Sequence, residues 1–142
     1  MKIVYIAHPL SGDIEGNLSK VSDIIRYINL TEPDILPFAH YFVDCHALDD
    51  TIPGERERGI KNDIALLKAG FINEVWLYGD RISNGMRHEI ELAESLNIPV
   101  IPKSPSTKHF YLSVERRLKN RNELPTLVGV MTSEAPSPSG KG

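Results

Sequence analysis

Ile82-Ser-Asn-Gly-Met-Arg-His-Glu-Ile-Glu-Leu-Ala93 is the stretch whose reading decides the fold. The apolar run Val75-Trp-Leu-Tyr78 precedes it and Ile98-Pro-Val-Ile101 follows. Strand, glycine turn, helix and strand in that order spell one βαβ unit. On a helix from about Gly85, residues Met86, Glu89, Ile90 and Ala93 recur at i, i+3, i+4 and i+7, the inward stripe of an amphipathic helix. Arg87, Glu91 and Glu94 then take the solvent side. A carboxylate, Glu89, therefore holds a core slot near the helix N-terminus. Burying an unpaired carboxylate is costly. Glu89 is thus either a functional acid at the mouth of a cleft or one half of a buried pair.

Outward from this unit the same alternation repeats. Lys2-Ile-Val-Tyr-Ile-Ala7 is a continuous apolar run of the kind found in strands covered on both faces. The turn-rich loop His8-Pro-Leu-Ser-Gly-Asp13 leads into a helix expected over Ile14–Asn29, with Ser11 or Asp13 as N-cap. Its inner stripe is Ile14, Leu18, Val21, Ile25 and Ile28, and Asn17 intrudes on that stripe. Asp34–Phe38 reads as a second strand. Ala39 to Pro53 reads as an irregular loop holding His40, Tyr41 and His46. A helix follows over Gly54–Lys68, where Ile60, Asp63, Ile64 and Leu67 repeat the inward spacing and Arg56 lies upstream on the same side. Strand three is expected over Glu74–Tyr78 and strand four over Ile98–Ile101. A last helix is expected over Phe110–Lys119 and a short edge strand over Leu124–Met131. Residues 1–131 form one expected domain and 132–142 a disordered tail, rich in Pro, Ser and Gly.

These elements describe an α/β protein, a flavodoxin- or Rossmann-like three-layer fold with a parallel sheet of about five strands. Ligands of such sheets sit beyond the carboxyl ends of the strands, at the switch point. The loops concerned are His8–Asp13, Ala39–Pro53 and Gly79–Gly85.

The chain has 142 residues, 41% of them hydrophobic, enough for one sizeable core. A net charge of −3 without a basic block gives no reason to expect a nucleic acid polymer or a membrane surface as partner. The N-terminal apolar run is too short for a signal peptide or a span. The only cysteine, Cys45, rules out an intrachain disulfide and suits a reducing, cytoplasmic setting.

Two inward carboxylates, Asp63 and Glu89, suit displacement at a sugar anomeric carbon, one acting as nucleophile and the other managing the proton. The Pro9–Asp13 loop runs into a helix N-terminus, which favours anions, so Ser11, Gly12 and Arg56 are candidate phosphate contacts. Asp13 argues against that, because a carboxylate there competes with phosphate unless it points away. Plainer readings stand beside these. An inward Glu is commonly salt-bridged, a glycine turn before a helix is commonplace, and Tyr5 reads as core with its hydroxyl tied to a neighbour. His40, Asp44, Cys45 and His46 are too loosely spaced for a metal, and no metal or cofactor is expected.

Tyr5-Ile-Ala-His-Pro-Leu-Ser-Gly12, Asp63-Ile-Ala-Leu-Leu67 and Ser83-Asn-Gly-Met-Arg-His-Glu-Ile-Glu-Leu-Ala93, with Ile98-Pro-Val100, together resemble the nucleoside 2-deoxyribosyltransferase-like superfamily. That superfamily includes 2'-deoxynucleoside 5'-phosphate N-hydrolases and small uncharacterised bacterial and phage domains. The resemblance spans roughly residues 1–102. It implies a flavodoxin-like fold, often dimeric or of higher order, with Glu89 as nucleophile, Asp63 assisting proton transfer and Tyr5 as a site tyrosine. Ser11 and Gly12 would form the phosphate-side loop. His8 stands where the superfamily usually has a glycine.

The resulting expectation is an N-ribosyl or N-deoxyribosyl hydrolase or transferase acting on a nucleoside, nucleotide or nucleotide-derived molecule. Its catalytic candidates are Glu89, Asp63 and Tyr5. Its substrate-contact candidates are His8, Pro9, Ser11, Gly12, Asn17, His40, Arg56, Gly85 and Met86. The alternative is a nucleotide sensor or sponge that keeps the cleft without turnover. In a third reading, Asp63 merely pairs with Arg56 or Arg87.

Overall fold

A computed structural model describes residues 1–123. The run Lys2–Ala7 forms β1, and Val4 through Ala7 are all buried, as expected of a strand covered on both faces. Asp13 caps the next helix, α1 (Ile14–Thr31), its carboxylate accepting from the Gly16 N–H at 3.1 Å. Then come β2 (Ile35–Phe38), α2 (His40–Ala47), α3 (Pro53–Lys68), β3 (Glu74–Leu77), α4 (Asn84–Ser95), β4 (Val100–Pro102) and α5 (Pro105–Glu123). Among the described residues the sheet has four strands, all parallel, in the order β2-β1-β3-β4. The count is thus four rather than about five; the edge strand expected over Leu124–Met131 lies outside the described residues, as does the expected tail.

Strand alternation sorts the core into two faces. On one, Val4, Ile6 and Trp76 pack with Ile24 and Ile28 of α1. On the other, Tyr5, Ala7, Val75 and Leu77 pack with Leu67 of α3 and with Met86, Ile90 and Ala93 of α4. Leu18 and Val21 of α1 and Tyr41 of α2 join this larger cluster. β1 lies between β2 and β3, so the chain reverses direction across the sheet between β1 and β3. Open α/β sheets bind ligands at such a reversal.

Four departures from the sequence reading have physical causes. The expected loop Ala39–Pro53 contains α2, an eight-residue helix whose N-cap, Ala39, makes no side-chain capping bond. It lacks the usual start signal, and packing against α3 supports it. On α3 the buried stripe is Gly59, Asp63 and Leu67, which leaves Ile64 39% exposed rather than inward. Ile98 does not begin β4. It closes α4 instead, with Asn97 at φ 59° and the Ile98 N–H bonded to the Ala93 carbonyl at 2.8 Å, a Schellman ending. Glu94 is only partly on the solvent side, because α5 lies beside it and the Tyr111 hydroxyl donates to it at 3.1 Å.

Candidate functional site

Tyr5 points from β1 toward α4 because odd-numbered β1 residues face that side of the sheet. Its side chain is fully buried, and its hydroxyl donates a hydrogen bond to the Glu89 carboxylate. The Ser83 hydroxyl accepts from the Met86 N–H at 3.2 Å and fixes the start of α4. Glu89 sits at the edge of the α4 stripe, half-buried, while Met86, Ile90 and Ala93 are fully buried. The core slot expected for Glu89 is thus only partly buried.

Asp63 approaches from α3 and is 4% exposed, with Oδ1 sealed from solvent. Tyr41 approaches from α2, with its ring tilted 53° to that of Tyr5 at a centroid distance of 6.1 Å. Its hydroxyl donates to the Ile6 carbonyl at 2.5 Å. Burial raises the Tyr5 phenol well above its ordinary value; the charges of Glu89 and Asp63 add to this, as do Tyr41 and the bond to Glu89. Burial likewise raises Tyr41, again with help from Glu89 and Asp63 and also from Cys45. Both acids thus act electrostatically on both phenols. Both tyrosines stay protonated through the neutral range and serve as donors.

A second group gathers where β1 and β3 end. His8 is 6% exposed, and its Nδ1 lies 2.7 Å from the Pro9 carbonyl. Burial lowers its pKa, opposed by the Pro9 bond and Asp80 and assisted by Lys20 and Arg81. Gly79, at φ 100°, lies under the Pro9 ring so closely that a Cβ there would come within 2.6 Å of Pro9 Cδ. Arg81 donates from Nη2 to the Ser11 carbonyl at 2.9 Å and joins the two loops. Ser11 and Gly12 are exposed.

The other candidates are placed differently. Asn17 is buried and donates to the Leu10 carbonyl at 2.9 Å, so its amide N–H braces the His8–Asp13 loop. His40 Nε2 lies 3.3 Å from Asp44 Oδ1, and Asn62 donates to Asp44 Oδ2 at 3.2 Å, a polar bridge between α2 and α3. Arg56 is half-buried in the first turns of α3, and Gly85 is half-buried at the start of α4. Met86 is fully buried, so its side chain is core and only its backbone can face a ligand. Among the described residues no group of three or more His, Cys, Asp or Glu is placed to hold a metal, and no helix is long and apolar enough to cross a membrane.

Tyr41 was not among the expected site residues. Its signal was the spacing Tyr41, Asp44, Cys45 and Leu48, an i, i+3, i+4, i+7 pattern in the stretch read as a loop. Chemically, the cluster offers two carboxylates, one of them bonded by a phenol, at the rim of the β1–β3 reversal.

No curated protein and no solved structure matches the chain. A family model does, over residues 2–103. That span runs from the start of β1 to just past β4 and takes in Tyr5, Asp63 and Glu89. The chain belongs to the family described as Domain of unknown function (DUF7768).

Proposed function

We propose that the chain is an N-ribosyl or N-deoxyribosyl hydrolase or transferase acting on a nucleoside or nucleotide-derived molecule. The observation that carries this reading is the hydrogen bond from buried Tyr5 to Glu89, with Asp63 and Tyr41 close around it. Glu89 attacks C1′, the C1′–N bond breaks, and the departing base takes a proton that Asp63 manages. Water or a second base then opens the glycosyl ester and releases Glu89. Tyr5 orients the nucleophile through its bond. The lone thiol, Cys45, supports a reducing, cytoplasmic setting.

Chromatography of a panel of nucleosides and nucleoside 5′-monophosphates tests this. Wild type should release free base, and Glu89→Ala and Asp63→Asn should each lose at least about a hundredfold in rate. Equal base release by wild type and both variants would refute the mechanism.

One observation favours a second reading. A phenol donating to Glu89 also draws electron density from the carboxylate, which suits a binding contact better than a nucleophile. Under that reading calorimetry finds a ligand that chromatography recovers unchanged, and release of free base excludes it.

A further inference from the structure

The corner where the β1 and β3 loops meet is chemically unusual for a place expected to hold phosphate. A carbonyl oxygen can only accept, so the 2.7 Å contact between His8 Nδ1 and the Pro9 carbonyl puts the ring proton on Nδ1. The neutral ring then presents a bare lone pair at Nε2. Among the described residues Nε2 has no hydrogen-bond partner, and it is not sealed from solvent. It lies beside Gly79, whose missing side chain leaves it room; an added Cβ would stand 3.7 Å from it. His8 is thus a nearly buried side chain whose one acceptor keeps some exposure to solvent.

The surroundings do not supply an anion site to override it. The N-terminus of α1, which could have bound phosphate, is already covered by the Asp13 carboxylate. That carboxylate accepts from the Gly16 N–H at 3.1 Å and lies so close that a Cβ on Gly16 would meet it at 2.2 Å. Arg81 is engaged by the Ser11 carbonyl at 2.9 Å and lies 3.9 Å from Asp80. The charged groups facing His8 are Lys20 from α1 and Asp80 and Arg81 from the β3–α4 loop; with Asp13 they sum to zero.

We propose that His8 Nε2 is a specificity-determining acceptor, which selects an uncharged hydroxyl or N–H donor over an anionic oxygen at this corner. The proposal rests on the functional reading above only in naming nucleosides as probes. A hydroxyl satisfies the lone pair, whereas an ionised phosphate oxygen meets it acceptor to acceptor. Protonation reverses the preference, because the imidazolium offers an N–H and a positive charge. His8 is held below its ordinary value, chiefly by burial. The uncharged state therefore prevails at neutral pH, and the reversal falls on the acid side of it.

The experiment is NMR of the full chain, with the ring nitrogens of His8 and the amides of Ser11, Gly12 and Arg81 as reporters. Inorganic phosphate and a nucleoside paired with its 5′-monophosphate are the titrants. At pH 8 the ring should be the Nδ1-protonated tautomer, and phosphate should leave the reporters unmoved. At pH 5 phosphate should shift them in wild type but not in His8→Gln. Where the nucleoside pair binds, the nucleoside should be preferred about tenfold or more at pH 8, the factor that corresponds to one unsatisfied polar contact. An Nε2-protonated ring overturns the proposal. So does a phosphate response that is the same at both pH values, whether present or absent, or a pH dependence that survives in His8→Gln. Failure of both nucleoside and nucleotide to bind or react defeats the functional reading instead, since tautomer and phosphate response are read without either.

Discussion

Gly79→Ala isolates the contact that seats the His8-Pro9 corner on β3. Gly79 has φ 100°, and an added Cβ would lie 2.6 Å from Pro9 Cδ and 3.1 Å from Pro9 Cγ. The Pro9 ring is fully buried and cannot rotate aside, so the backbone must shift. Two costs combine. A side chain in the left-handed region costs about 1–2 kcal/mol, and overpacking a well-filled site costs about 1–3 kcal/mol. Gly70→Ala is the matched control, because Gly70 has φ 88° but nothing within 4 Å of its added Cβ. It carries the strain without the clash. The entropy that alanine removes from the unfolded chain is common to both substitutions and cancels. Urea unfolding followed by circular dichroism should therefore show Gly79→Ala less stable than Gly70→Ala by about 1–3 kcal/mol at unchanged m-value. If the two variants agree within about 0.5 kcal/mol, the close approach does not hold the corner, and the placement of His8 needs another cause.

Asn17→Leu should destabilise the protein by about 1–3 kcal/mol, because it strands the buried Leu10 carbonyl that Asn17 satisfies at 2.9 Å; a thermal melt matching wild type would contradict this. The α4–α5 contact should make stability depend on pH. Tyr111 donates toward Glu94 at 3.1 Å and Glu115 at 2.6 Å, and burial and then the bond and charge of Glu115 raise Glu94 from 4.5 to about 7. Glu115 is lowered, first by its bond to Glu94 and then by Tyr111, with Lys119 also favouring its charge. The folded state thus holds an extra proton on Glu94 between its unfolded value of 4.5 and about 7. That contribution is complete below 4.5 and lost as pH rises through about 7. The opposite contribution of Glu115 is lost only as pH falls through its lowered value. Much of Glu94 faces solvent, so screening holds the change to about 1 kcal/mol. Unfolding free energies at pH 5 and pH 8 should differ in that sense in wild type, and the difference should shrink in Glu115→Gln; an equal difference in both would reject the shared proton.

What could be read from the sequence follows from which signals are local. β1, α1 and α4 announce themselves through continuous apolar runs, the Asp13 cap, the glycine turn before α4 and a 3.6-residue period, and their observed bounds fall within a few residues of expectation. α2 did not announce itself, because an uncapped helix of two turns draws its stability from the element it packs on. The apolar period of α3 pointed to Ile64, but Gly59 is the residue that turns inward and Ile64 is displaced to the surface. Helix rotation is set by the closest approach between elements, and glycine contributes nothing to a hydrophobic pattern.

The site shows the same division more sharply. Asp63 and Glu89 could be singled out one helix at a time, because each is a polar residue at an apolar period. Tyr5 gave no such sign: a tyrosine within an apolar strand is ordinary core, and its burial alone fits that reading. Its role turns on its hydroxyl meeting Glu89 across 84 residues of chain, and that depends on strand register and helix placement together. Tyr41 is similar, since its hydroxyl reaches the Ile6 carbonyl from a helix the sequence did not reveal. The two phenols therefore combine apolar packing with hydrogen bonding in one side chain. Each buried ring packs in the core while its hydroxyl meets a polar group there, and the Tyr5 hydroxyl also orients Glu89. Loss of the Tyr5 hydroxyl should consequently disturb Glu89 more than the fold, because the ring remains to fill its place in the core.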